Sequence, residues 1–325
     1  VQEQDVNQYG TATKPSAANP LCAKAQALLK NMNSVLVGQD RASRLSVVSL
    51  LAGGHLIIED VPGVGKTLLA KSLATSIHGD FKRLQCTPDL LPADISGVNI
   101  YDQKESKFRF VPGPIFSNIF LADEINRASP RTQSSLLEAM EEKQVTTDGT
   151  TRKLPELFFV IATANPIEQL GTFPLPEAQL DRFMVALSLG YPKPQEEAQI
   201  LFKTLEQDTF TANAVLSVDD IIEARKAVRQ VRAHEALIRY IIDITGATRS
   251  HPAVVLGVSP RGSQLLLRAA QAHAFIEGRD YIIPDDIKCL APSVLGHRII
   301  PKVKSQRISY ADIIERVLET VAIPK

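Results

Sequence analysis

The sequence predicts a layered α/β domain built on a parallel sheet, followed by a smaller all-α helical domain. Three observations carry this. Apolar runs of strand length alternate with helix-like segments up to Leu189, a Gly-rich turn joins the first of these strands directly to a helix, and beyond Gly190 the patterning is helical. A chain of 325 residues has ample material for a large core or for two domains.

Taken in order, Val1 to Pro20 is rich in Gln, Asn, Thr, Ala and Pro, lacks apolar periodicity and is expected to be a mobile tail. Ala23 to Asn31 is expected to be helical, Val35 to Gln39 a short extended turn, and Asp40 to Ala52 a second helix. The strand Leu56 to Ile58 feeds a helix over Leu68 to Ile77, and further strands follow at Phe81 to Cys86, Ser117 to Ala122, Leu157 to Ala162 and Val185 to Leu189. Ser129-Pro130 opens the helix after the third of these strands, because Ser can cap and Pro suits the first helical position. Gly190-Tyr191-Pro192-Lys193-Pro194 breaks the pattern and reads as a hinge. The expected division is therefore a tail over 1–20, an α/β core over 21–193 and a helical domain over 194–325. In the last, Ser217, Ser259 and Pro284 each begin a helix, and no strand is expected. Two hairpins are inserted in the core. Gly97 to Phe116 places Val98, Ile100, Phe108 and Phe110 either side of a polar tip, and Gln144 to Lys153 turns at Asp148-Gly149. Each is either a surface ornament or a lever that moves with the state of the core.

Composition removes several function classes. Lys+Arg and Asp+Glu both number 36, so the formal net charge is zero and does not call for nucleic acid or an anionic membrane as the main partner. The longest apolar region, Leu45 to Ile58, is interrupted by Ser46, Ser49, Gly53, Gly54 and His55 and is unsuited to crossing a bilayer. Cys22, Cys86 and Cys289 are far apart and lack metal-ligand spacing; all three are expected to be buried free thiols, as suits a cytoplasmic setting.

The chemistry begins at Asp60-Val61-Pro62-Gly63-Val64-Gly65-Lys66-Thr67, between the first strand and its helix. Backbone N–H groups of such a turn, from Gly63 through Val64 and Gly65 to Leu68 at the helix start, can surround phosphates, and Pro62, which has no N–H, is expected to contact the nucleotide as part of the same loop. Lys66 adds a positive charge and Thr67 offers a hydroxyl to Mg²⁺, so the chain is expected to bind a nucleoside triphosphate. Asp60 stands where the usual pattern has Gly. The strand ending at Ala122 runs into Asp123-Glu124. There Asp123 can hold the water shell of the metal, and Glu124 can orient or deprotonate an attacking water. Asn165 can hydrogen-bond that water or the γ-phosphate, Arg182 can reach a neighbour's nucleotide, and Arg261 can fold onto phosphates. Any one of the three alone is an ordinary structural side chain. Together with the two phosphate motifs they resemble an AAA+ ATPase with its sensor 1, arginine finger and sensor 2.

The segments Glu59 to Thr67, Ala122 to Ala128, Ser135 to Glu142 and Phe173 to Phe183 are similar to the MoxR family of the helix-2-insert branch. The resemblance runs from about Val35 to Val321. It makes Asp60 a family mark, the first hairpin a helix-2 insert and the second a pre-sensor-1 hairpin. Gly262 departs from the Ala expected after Arg261. What the resemblance implies is a P-loop AAA+ hydrolase that turns ATP into ADP and phosphate with Mg²⁺ between Thr67 and Asp123. It would work as a ring, usually a hexamer, with a von Willebrand factor A-domain protein, to remodel or mature a client complex or insert metal into it. Val37, Gly38 and Tyr191 would flank the adenine, and the resemblance leaves open whether Arg261 acts on its own subunit's nucleotide or a neighbour's. Two other classes compete. One is a nucleic-acid motor, disfavoured by the mixed charge of Asp102, Lys104, Glu105 and Lys107 at the first hairpin tip. The other is a nucleotide-gated scaffold without turnover, disfavoured by the presence of Glu124 and Asn165.

Overall fold

The protein is described by a computed structural model over residues 20–165, 171–205, 212–302 and 310–324. The expected tail lies outside these residues up to position 19, and Pro20 already opens helix α1, Pro20–Val35. Helix α2, Asp40–Ala52, ends on Gly53 at φ 75°, a left-handed cap that reverses the chain into strand β1, Leu56–Glu59. Helix α3, Lys66–Ser76, and strand β2, Phe81–Gln85, follow. The first insert is a short helix α4, Pro92–Ser96, and the antiparallel hairpin of β3, Gly97–Asp102, and β4, Lys107–Pro112. Strand β5, Ile119–Asp123, leads through a 3₁₀ turn to helix α5, Pro130–Glu142, capped by the Ser129 hydroxyl accepting from Thr132 N–H. The second hairpin is β6, Gln144–Thr147, with β7, Thr150–Lys153. Strand β8, Phe159–Ala164, the single turn α6, Glu177–Leu180, and strand β9, Val185–Leu187, complete the α/β part.

β1, β2, β5, β8 and β9 form one five-stranded parallel sheet in the order β2-β5-β8-β1-β9. β5 and the first five residues of β8 are fully buried, and their near-unbroken apolar sequence is what a sheet covered on both faces requires. Side chains from the two faces belong to separate core clusters: Ile58, Leu121 and Ile161 pack with α1, α2 and α3, while Ile57, Phe120 and Val160 pack with α5. All five strands point the same way, so their C-terminal ends define one edge of the sheet and their N-terminal ends the other.

The second part contains α7, Pro194–Leu205; α8, Val218–Val228; α9, Glu235–Ser250; α10, Pro260–Ile276; α11, Pro284–Leu295; and α12, Tyr310–Thr320. The expectation of helix alone is corrected here. Strand β10, Val254–Leu256, pairs antiparallel with β11, Ile300–Pro301, a ribbon too short to leave an alternation in the sequence. The cysteine expectation is corrected as well: Cys22 and Cys86 are buried, but Cys289 is exposed on α11. Among the described residues no helix is long and apolar enough to cross a membrane.

Candidate functional site

The turn after β1 is shaped by its glycines. Gly63 and Gly65 adopt φ of 87° and 101°, a region that costs a side-chain-bearing residue about 1 kcal/mol or more. Gly65 is also the N-cap of α3, so the helix begins with its free N–H groups facing the turn. Pro62, Gly63, Gly65, Lys66, Thr67 and Leu68 line one cleft together with Arg83, Gln85, Asp123 and Glu124. The sequence-predicted phosphate and metal residues are therefore brought together, with Val64 on the loop but off the cleft wall. Lys66 is buried and donates to the Asp60 carbonyl at 2.9 Å, so its ammonium is poised across the mouth of the loop.

Asp60, the residue in place of Gly, has a physical reason. One carboxylate oxygen accepts from its neighbour Val61 N–H at 2.9 Å; the other accepts from Ser188 Oγ, Leu189 N–H and Gly190 N–H at 3.0, 2.6 and 2.8 Å. Its own N–H donates to Ala164 O at 3.1 Å. Asp60 thus ties the phosphate loop to the end of β8 and to the segment that leads from β9 into the helices. Hydrogen bonds to a charged acceptor contribute about 1.5–3 kcal/mol each, more than a Gly there could supply.

The acidic pair is held by residues that the sequence did not single out. Asp123 Oδ2 is 2.7 Å from Arg83 Nη2, and Asp123 Oδ1 accepts from Thr163 Oγ1 at 2.6 Å. The same Thr163 oxygen accepts from Glu124 N–H at 2.8 Å, fixing Glu124 at φ 56°, ψ 51°. That left-handed backbone directs Glu124 into the cleft, where its Oε2 accepts from Gln85 Nε2 at 2.7 Å and Arg127 Nη1 at 3.1 Å. Arg83 and Gln85 are two apart on β2 and so share a face. That polar alternation was the signal available in the sequence. Buried Cys86, next on the chain, has its thiol pushed up to about 12 by burial and by the charges of Asp123 and Glu124. Asn165 is buried at the end of β8, one residue past the Ala164–Asp60 contact, and its carbonyl accepts from Asn126 Nδ2 at 3.3 Å. It flanks the loop without lining the cleft.

Arg182 and Arg261 lie elsewhere. Arg182 Nε is 3.1 Å from Glu141 Oε2, and Arg261 Nη1 is 2.8 Å from Glu141 Oε1, so a single carboxylate on α5 holds both. They line a second cleft with Gly53, Gly54 and His55, which precede β1, and no residue lines both clefts. The phosphate loop leaves the C-terminal end of β1. Arg182 comes just before the N-terminal end of β9, the strand beside β1, so the second cleft is at the opposite edge of the sheet. Arg298 explains how two residues so distant in sequence meet. It is buried, its Nε is 2.8 Å from Asp181 Oδ1, and it donates to the carbonyls of Asp181 and Met184. Ser259, the cap of α10, donates to the other Asp181 oxygen at 3.3 Å. Asp181 and Ser259 are one and two residues from Arg182 and Arg261, so their bond draws the pair together. Gly262 is explained by the same packing, because a Cβ there would collide with Val258 and press on Arg298.

The three expected adenine contacts are only partly assembled. Gly38 packs against the Glu196 carboxyl, Gln39 Nε2 donates to Leu189 O at 3.2 Å, and Glu196 accepts from Lys193 N–H at 2.8 Å. These bonds tie the turn bearing Val37 and Gly38 to the hinge bearing Tyr191. Tyr191 is 79% exposed, and none of the three lines the phosphate cleft.

Comparison with known proteins places the two parts of the fold. The profile of the family described as "ATPase family associated with various cellular activities (AAA)" matches residues 55–185, and that of an AAA lid domain matches 246–317. The chain is 50% identical over 311 residues to a Bacillus subtilis protein called YeaC, covering 94% of this chain and 96% of that one. It is 39% identical to the chaperone MoxR1 of Mycobacterium tuberculosis, covering 96% and 86%, and 31% identical to the protein MoxR of Methylorubrum extorquens, covering 91% and 94%. A crystal structure described as that of a candidate ATPase from Cytophaga hutchinsonii superposes with a TM-score of 0.88 at 39% identity, covering 94% of this chain and 96% of that one.

Proposed function

The chain belongs to the MoxR family of AAA+ ATPases, with an AAA domain followed by a lid, and from that premise we propose that it hydrolyses ATP at a site completed by a neighbouring subunit. The single observation that carries the proposal is the placement of Arg182 and Arg261 on one carboxylate at the sheet edge opposite Lys66 and Thr67. β1 is four residues long, about 13 Å, and the loops add to that separation, more than an Arg side chain reaches. In a head-to-tail ring, the second cleft of one subunit meets the phosphate cleft of the next. This supports a role for both arginines in trans.

Each residue then has a definite task. Lys66 exchanges the Asp60 carbonyl for phosphate oxygens, and the N–H groups of Gly63, Gly65 and the first turn of α3 surround the same phosphates. A hydroxyl at Thr67 and a carboxylate at Asp123 in one cleft are a donor set of hard oxygens that fits Mg²⁺. An ion held by Thr67 and Asp123 would supply positive charge to offset that of the phosphate oxygens. Glu124, held by Gln85 and Arg127, takes the proton of the attacking water while Asn165 orients it, giving ADP and phosphate. The neighbour's Arg182 and Arg261 stabilise charge on the transferred phosphoryl group. Val37, Gly38 and Tyr191 close over the base once nucleotide fills the site.

The work done with this ATP is remodelling or maturation of a protein client by a ring of subunits, in keeping with chaperone relatives. The proposal extends to a von Willebrand factor A-domain partner, to metal insertion as one form of maturation, and to action in the cytoplasm. Replacing Glu124 with Gln tests the chemistry. ATP binding should persist and turnover should fall by about 100-fold or more. Normal turnover in that variant would remove Glu124 as the base.

A further inference from the structure

The second cleft holds more positive charge than the two arginines on Glu141 require. Its cavity, ≈ 210 Å³, is also lined by Lys143, the C-cap of α5, by Arg225 of α8 and its C-cap Arg229, and by Arg268 from α10. Among the described residues Glu141 is the one acid on that lining, and Arg182 and Arg261 already share it. Arg225 is the most telling of the remaining cations. Its Nε donates to Leu50 O at 2.8 Å, at the end of α2, but its Nη2 is out of contact with solvent and has no hydrogen-bond partner among the described residues. A buried guanidinium N–H without an acceptor is destabilising, and a bound anion removes that cost.

The cations also act on one another. Burial and the charges of Arg225, Arg229 and Arg268 lower the Lys143 ammonium, and burial and Arg229 lower Arg225 to about 10. Glu156, outside the lining, offsets part of this. His55 on the cavity wall is pulled down to about 3 by burial, with Arg225 and Lys143 adding to the effect, and so stays neutral. The helix C-termini that converge here supply only partial negative charge.

We propose that this cavity is a binding site for a free phosphate-type polyanion, taken up by a single subunit through Lys143, Arg225, Arg229 and Arg268. Several cations around one small volume match the charge of phosphate or diphosphate better than that of a monocarboxylate, and the arginine forks match phosphate oxygens. Lys143 comes from the α/β part and the three arginines from the helical part. An anion between them therefore fixes the angle between core and lid and, through Glu141, the setting of Arg182 and Arg261. The same chemistry could be supplied by the phosphate chain of a neighbour's nucleotide, and the experiment separates the two sources.

The test uses the full chain carrying Lys66→Ala, so that the phosphate loop does not compete, kept as isolated subunits without nucleotide. Inorganic pyrophosphate and phosphate are titrated by calorimetry at constant ionic strength. The expected result is one saturable site per subunit, weakened about tenfold or more by Arg225→Gln. Because Arg225 is part of the packing, the exposed Arg268→Gln and the single substitution Lys143→Gln are measured alongside, with circular dichroism to show that each is folded; each should weaken the same site by several-fold. Absence of saturable binding overturns the proposal, as does binding that none of the three substitutions changes. Binding that occurs only in nucleotide-loaded assemblies also overturns it, and assigns these cations to the neighbour's nucleotide.

Discussion

Glu141 Oε1 lies 2.8 Å from Arg261 Nη1, joining a helix of the α/β part to the first turn of a lid helix 120 positions later. Its other oxygen holds Arg182, so a single acid holds two cations that, on the proposed mechanism, would be given up to phosphate. Glu141 is 39% exposed, and exposed ion pairs contribute about 0.2–1 kcal/mol. Glu141→Gln should therefore leave the fold intact and lower the ATP concentration for half-maximal turnover by about threefold, because the competing charge is gone. Steady-state kinetics on the assembled protein check this.

Arg83 occupies Asp123 in the same way on the other side of the sheet, at 2.7 Å. On the proposed mechanism, Mg²⁺ held by Asp123 would compete with that guanidinium for the carboxylate. Arg83→Ala should shift the Mg²⁺ dependence of turnover to about threefold to fivefold lower concentration. An unchanged or rightward-shifted Mg²⁺ titration would show that Arg83 assists the metal rather than competing with it.

A pH dependence of stability follows from the lid. Burial lowers His273, but the 2.7 Å contact with Asp286 and the nearby Cys289 outweigh it, and the net result is an imidazole raised to about 9. Burial likewise raises Asp286, yet Arg279, His273 and the Ile283 N–H bring it down to about 2. A raised His stabilises the fold fully below its unfolded value near 6.5 and loses that contribution as pH climbs through about 9. A lowered Asp acts above its unfolded value near 3.9 and loses its contribution as pH falls through about 2. Stability should therefore decline between about pH 6.5 and 9, and His273→Gln should flatten that decline by on the order of 3 kcal/mol. Chemical denaturation across this range measures it.

The sequence carried the sheet and the phosphate cleft further than the second cleft. Apolar runs such as Leu56 to Ile58 and the Gly-Lys-Thr ending are local, so they place Lys66, Thr67, Asp123 and Glu124 without knowledge of the fold. The expected helix bounds at Asp40 and Ala52 and the cap at Ser129 match the structure for the same reason. Asp60 looked like a departure, and its purpose, accepting from Leu189 and Gly190, lies 129 and 130 positions away. Arg298, Glu141 and Thr163 were invisible because their partners are distant in sequence and nothing local marks them. Arg182 and Arg261 were identified as residues, but that one carboxylate holds both is a property of the fold alone.

A subunit mixing experiment tests the shared site most directly. Lys66→Ala removes nucleotide binding from a subunit whose Arg182 and Arg261 are intact, and Arg182→Ala removes the finger from a subunit whose phosphate loop is intact. Each alone should be inactive, and mixing them in equal amounts should restore a measurable fraction of wild-type ATP turnover, from interfaces that pair a working loop with a working finger. If co-assembly is verified and the mixture stays as inactive as its components, Arg182 does not complete a neighbour's site.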